Sequence, residues 1–151
     1  MSGKWVGALT GAILGLSATM AVADGPKPED IVEYRKSVFH VIAWNFGPMV
    51  AMVKGEMEYD ADAFALRAQR MSIMSSQALE GFLPDTIVGD SEAKPEIWEN
   101  WDDFKGKMAD LEETTAALAE ASLSGDMATI VPAFKATGGA CKACHDDYKE
   151  E

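Results

Sequence analysis

Gly138-Gly139-Ala140-Cys141-Lys142-Ala143-Cys144-His145-Asp146-Asp147-Tyr148 closes the last helical segment of this 151-residue sequence. Its centre reads C-x-x-C-H, the pattern of a c-type haem attachment site. Each thiol can add across one haem vinyl group to form a thioether, and the histidine that follows can bind the iron from one side. On a helix Cys141 and Cys144 are one turn apart. His145 is four residues from Cys141, so the three side chains share a face. Three other readings compete. A redox C-x-x-C sits near a βαβ pattern, and no strand pattern stands out in this chain. A closed zinc site needs four ligands, and the sequence holds 2 Cys and 2 His, with His40 far from the motif. A chance pair of cysteines in a buried helix is the third.

Outward from the motif, Met127, Val131, Phe134, Gly138, Cys141, His145 and Tyr148 recur at helical spacing. Pro132 predicts either a helix that starts near Thr129 or a bend. A third segment, from Pro95 to near Gly125, carries Ile97, Trp101, Phe104, Met108, Leu111, Thr115 and Leu118 at steps of three and four. A second, from about Asp60 to Leu79, has Phe64, Ala68, Met71, Ser75 and Ala78 on one face, with Asp60 as its cap. The first runs from about Pro28 to Lys54 and aligns Ile31, Val38, Ile42, Phe46, Met49 and Val53, with Arg35 on the same line. Pro28 suits a first turn, Glu29 and Asp30 suit the positive end of the helix dipole, and Gly47-Pro48 predicts a kink. The loop from Glu80 to Lys94 holds Phe82 and Leu83, more apolar than a linker needs. No repeat or low-complexity tract is present. Four amphipathic segments with short connections predict an all-α, antiparallel up-down four-helix bundle, a fold that holds cofactors in its interior.

The N-terminus reads as an export signal. Lys4 precedes an apolar stretch from Trp5 to Leu16, and Ala21-Val22-Ala23 supplies an A-x-A-like cleavage site. Thr10, Gly11, Gly15, Ser17 and Thr19 interrupt the stretch, which falls short of the roughly 20 apolar residues of a membrane span. The expected division is residues 1–23, a removed signal peptide, and residues 24–151, one bundle domain in the periplasm. The full chain has 13 Lys+Arg and 25 Asp+Glu, a formal charge of −12. Removing Lys4 with the signal leaves 12 against 25, or −13. Such a surface repels nucleic acid and anionic lipid, and a redox partner should offer a basic patch. The same charge also serves plain solubility.

A four-helix bundle that ends in C-x-x-C-H resembles the cytochrome c′ family. Lys27-Pro28-Glu29-Asp30, Tyr34-Arg35, Phe46-Gly47-Pro48-Met49, Val53-Lys54-Gly55, Lys94-Pro95-Glu96-Ile97-Trp98 and the Cys141–Asp146 run look like family sequence at family positions, across the whole mature chain. The resemblance implies one covalent haem c with high-spin, five-coordinate iron, His145 as its one protein ligand and apolar side chains over the opposite face. It implies binding of nitric oxide and carbon monoxide, a homodimer in many members, and roles in nitric oxide scavenging or carriage and in electron transfer.

The remaining candidates follow from both readings. Phe39 stands at the family's distal position, about 55° from the centre of the first helix's stripe. Phenyl offers iron no lone pair and bound oxygen no hydrogen bond, so an apolar lid favours nitric oxide and carbon monoxide. Ordinary core packing is the plainer alternative for it. Arg35 needs a partner for a buried cation, and a haem propionate is one; a snorkelling arginine at the bundle end is the other reading. Trp98 resembles a tryptophan at the haem edge, with core packing as an equal alternative. In several relatives an arginine follows the tyrosine after the haem histidine; here Tyr148 is followed by Lys149, which keeps the charge without the planar fork. His40 lies roughly 155° from the stripe centre and is expected to point outward. The competing function is a low-spin electron carrier with a methionine as sixth ligand. A catalyst would need a distal acid or base, and none is placed, so the chain reads as no enzyme.

Overall fold

A computed structural model describes residues 25–150, so the expected signal peptide, residues 1–23, lies outside the described residues. Helices span Pro28–Lys54 (α1), Ala61–Ser75 (α2), Glu96–Glu99 (α3), Trp101–Ser122 (α4) and Met127–Tyr148 (α5), with a 3₁₀ turn at Ala78–Gly81. The four long helices form the bundle. Its antiparallel course is visible in cross-helix pairs. Tyr34 meets Gln77 while Trp44 meets Arg67, and Thr137 meets Thr114 while Tyr148 meets Asp103.

Pro28 opens α1, Glu29 and Asp30 sit in its first turn, and Gly55 closes it at φ 75°, with its N–H given to the carbonyls of Ala51 and Met52. The expected kink at Pro48 does not end the helix, which runs unbroken to Lys54. A proline inside a helix frees the carbonyl four residues earlier. That carbonyl belongs to Trp44, and Arg67 of α2 donates to it at 3.5 Å. Asp60 caps α2 as expected by accepting from the Ala63 N–H. Asp126 caps α5 through Ala128 and Thr129, so that helix starts at Met127, ahead of Pro132. The third predicted helix is two. Asn100 (φ −118°, ψ 44°) ends α3 and begins α4, its side-chain amide donating to the Glu96 carbonyl. Asparagine competes with the helix ladder in this way.

The predicted stripes of the second and third segments are buried, except that Trp101 is half-buried. On α1 the buried face is Val32, Arg35, Val38, Ile42, Asn45, Met49 and Met52, while Ile31, Phe46 and Val53 are partly buried. Inside, Ser75 and Thr115 share a hydrogen bond of 2.7 Å between α2 and α4. Gly81 lies so close to α1 that a Cβ there would stand 2.4 Å from the Arg35 Cβ.

Candidate functional site

α1 lies beside α2, α2 beside α4 and α4 beside α5. At one end α1 also meets α5: Phe46 stacks on Phe134 at 4.8 Å and rests over Gly138. Toward the other end α1 and α5 part, and a cavity of about 590 Å³ lies between them. That is a volume suited to a prosthetic group rather than to a diatomic gas alone. From α1 it takes Arg35, Phe39, Ile42 and Phe46; from α4, Phe104, Met108 and Leu111; from α5, Cys141, Cys144, His145 and Tyr148.

The motif therefore stands on the cavity wall. Cys141 and Cys144 are free, half-buried thiols. Burial raises the pKa of both, with Cys144 pushed up to about 11. His145 is exposed at the mouth of the cavity. Partial desolvation, then the charge of Lys149, holds its pKa below the ordinary value, so near neutral pH the imidazole carries a free lone pair.

Arg35 is 4 % exposed. Its Nη1 donates to the Gly81 carbonyl and the Thr86 hydroxyl, and its Nη2 to the Thr86 carbonyl at 2.7 Å and the Ser91 hydroxyl at 2.6 Å. All four acceptors are neutral, and among the described residues no carboxylate pairs with it. Burial alone pulls its pKa down. A buried guanidinium with neutral partners fits an anionic ligand group beside it. Apolar walls, two thiols one turn apart, an imidazole and this cation together fit a haem with propionates.

Phe39 lines the cavity from α1 and meets Phe82 edge-on at 6.1 Å. His40 is exposed, as expected, and it also borders the same cavity. Tyr148 is buried and donates to the Asp103 carboxylate at 2.6 Å. That bond, then burial, pushes the phenol up to about 12. Lys149 lies at the cavity edge and pairs with Glu92 at 3.0 Å. Trp98 lies outside the cavity lining; its indole N–H donates to the Phe82 carbonyl at 3.4 Å and so props the loop.

Sequence reasoning missed the loop's part in the site. Residues 82–94 run from α1 to the C-terminal end of α5. Arg35 holds one side, and Lys36 pairs with Asp90. On the other side the Lys94 N–H meets the Tyr148 carbonyl at 3.1 Å, and the Glu150 N–H meets the Glu92 carbonyl at 2.8 Å. Phe82, Glu92 and Ala93 thereby join the cavity wall. The apolar Phe82 was the available signal; Thr86 and Ser91 gave none.

Comparison with known proteins agrees with this geometry. The family model described as cytochrome C′ matches residues 30–149. The cytochrome c′ of Rubrivivax gelatinosus is 40% identical over 126 residues, 83% of this chain and 98% of that protein. The solved cytochrome c prime of Shewanella frigidimarina is 42% identical with a TM-score of 0.82, over 85% of this chain and 100% of that one. Alcaligenes xylosoxidans cytochrome c prime, 35% identical with a TM-score of 0.77 over 85% of this chain and 100% of that one, has been solved as mutants bound to nitric oxide and to carbon monoxide.

Proposed function

The chain belongs to the cytochrome c′ family and carries covalently attached haem c; from that premise we propose that it is an exported, periplasmic protein that binds nitric oxide and carbon monoxide. The observation that carries the reading is the α1 wall of the cavity, where Phe39, Ile42 and Phe46 face the motif helix. Met49 and Met52 of α1 are buried away from the cavity, so α1 offers no methionine to it. When bound, the haem supplies an iron centre that can take a small gas or pass an electron. Cys141 and Cys144 hold it through thioethers, and His145 is its protein ligand. Arg35 receives a propionate, which gives the buried cation its missing counter-charge. Phe39, on the α1 wall across from the motif helix, would present to the haem a ring that has nothing to donate to iron or to bound oxygen. Tyr148 and Lys149 border the His145 side.

Support for the gas ligands comes from the relatives solved with nitric oxide and carbon monoxide. No described helix is long and apolar enough to cross a membrane. The periplasmic assignment rests on the Lys4, Trp5–Leu16 and Ala21–Ala23 pattern, with residues 1–23 as the removed signal and residues 24–151 as the mature domain. The role is carriage or scavenging of nitric oxide, with electron transfer to a partner whose basic patch meets the acidic surface; the chain is a binder rather than an enzyme. Nucleic acid and membrane insertion of the mature chain form no part of it. A homodimer is supported by exposed Val41 and Trp44 on α1 and Leu66 and Ile73 on the adjoining α2.

The test is nitric oxide association with the ferrous holoprotein. Phe39→Ala should speed it by about tenfold, equivalent to about 1.4 kcal/mol of barrier. An unchanged rate would return Phe39 to ordinary packing.

A further inference from the structure

Phe82 has an environment that simple loop packing does not require. It is 8 % exposed although it lies in a loop. The Arg35 guanidinium carbon stands 5.3 Å from its ring centroid. Phe104 meets it at 4.7 Å and 62°, and Phe39 meets it at 6.1 Å and 71°. Its backbone is fixed on both sides. Arg35 Nη1 holds the Gly81 carbonyl at 3.1 Å, and the Trp98 indole holds the Phe82 carbonyl at 3.4 Å. Gly81 admits no side chain because Arg35 fills the space.

We propose that Phe82, clamped by Arg35, is the positioning residue that sets where the Phe39 ring rests and so governs how fast a gas reaches the iron. The proposal rests on the gas-binding reading and adds a residue to it. A ring over the metal must turn aside before a diatomic enters. On the loop side Phe39 meets the Phe82 ring in an edge-to-face pair, and Phe82 is itself held in place: Phe104 backs it and the guanidinium lies over it. Edge-to-face contact favours one orientation of Phe39 over others. Arg35 is thereby tied to both faces of the site, to the propionate through its charge and to the distal lid through Phe82.

The experiment compares carbon monoxide association with ferrous wild type, Phe82→Leu, Phe39→Ala and the double variant. Leucine keeps an apolar side chain in the loop but removes the ring. Phe82→Leu should raise the association rate by about two- to tenfold, the strength of one aromatic pair. In the Phe39→Ala background it should add nothing. Equal effects in both backgrounds, or none in either, would overturn the proposal. A crystal structure of gas-free ferric Phe82→Leu reads the same claim without any gas. The Phe39 ring should turn into the space left by Phe82, and an unmoved ring would contradict the proposal. Failure of the wild type to bind any gas, together with a moved Phe39, would sink the gas-binding reading while leaving the positioning role standing.

Discussion

Arg35 holds its surroundings by four hydrogen bonds to neutral oxygens and one ring contact. Removing it leaves Gly81, Thr86 and Ser91 with unfilled acceptors at the cavity edge. Arg35→Met should lower the unfolding free energy of the holoprotein by about 2–4 kcal/mol, read from urea denaturation. Arg35→Lys should recover only part of it, because an ammonium cannot span these acceptors as a planar fork does. Tyr148 gives a pH signature. Its folded pKa, about 12, lies above the ordinary 10.0 because the neutral phenol donates to Asp103 and is buried. The stabilisation is therefore whole below about pH 10 and is lost as pH rises through about 12. Tyr148→Phe should flatten that alkaline decline in a pH series of unfolding midpoints; an unchanged slope would contradict the assignment.

At the level of elements, the loop of residues 82–94 joins α1 to the end of α5 beside the cavity between them. Just before it stands Gly81, the last residue of the 3₁₀ turn, where an added methyl meets the Arg35 Cβ and Cα, neither of which is a flexible side-chain end that can give way. Gly81→Ala should cost about 1–3 kcal/mol, measured by thermal or urea unfolding. The long helices were legible because each repeats its apolar face every three or four residues over many turns. Caps at Asp60 and the opening at Pro28 were legible from local chemistry. The break at Asn100 was not, since Ile97, Trp101 and Phe104 keep helical spacing across it. Nor was the loop's attachment to α1: Arg35 meets acceptors 46 to 56 residues away, and such contacts leave no periodic trace. The motif at Cys141, Cys144 and His145 could be read from its own spacing, whereas His40 on the cavity rim needed the gap between α1 and α5 to be seen.

On the scale of the whole molecule, a bundle that seals one end of the α1–α5 seam with Phe46 on Phe134 and leaves the other end parted has built a slot for a flat group. The chain also carries a formal charge of −12, so copies repel except where apolar surface outweighs charge. Trp44, 71 % exposed, belongs to the α1–α2 face proposed for the dimer. Trp44→Glu should shift sedimentation from dimer to monomer while leaving the haem spectrum unchanged. The decisive measurement is the absorption spectrum of the holoprotein in both oxidation states, before and after nitric oxide, because it reads whether His145 is the one protein ligand and the side under Phe39 holds none. High-spin bands are expected in ferric and ferrous protein, with a new spectrum on adding the gas. A sharp low-spin α band with a methionine-to-iron feature, unmoved by nitric oxide, would contradict that ligation.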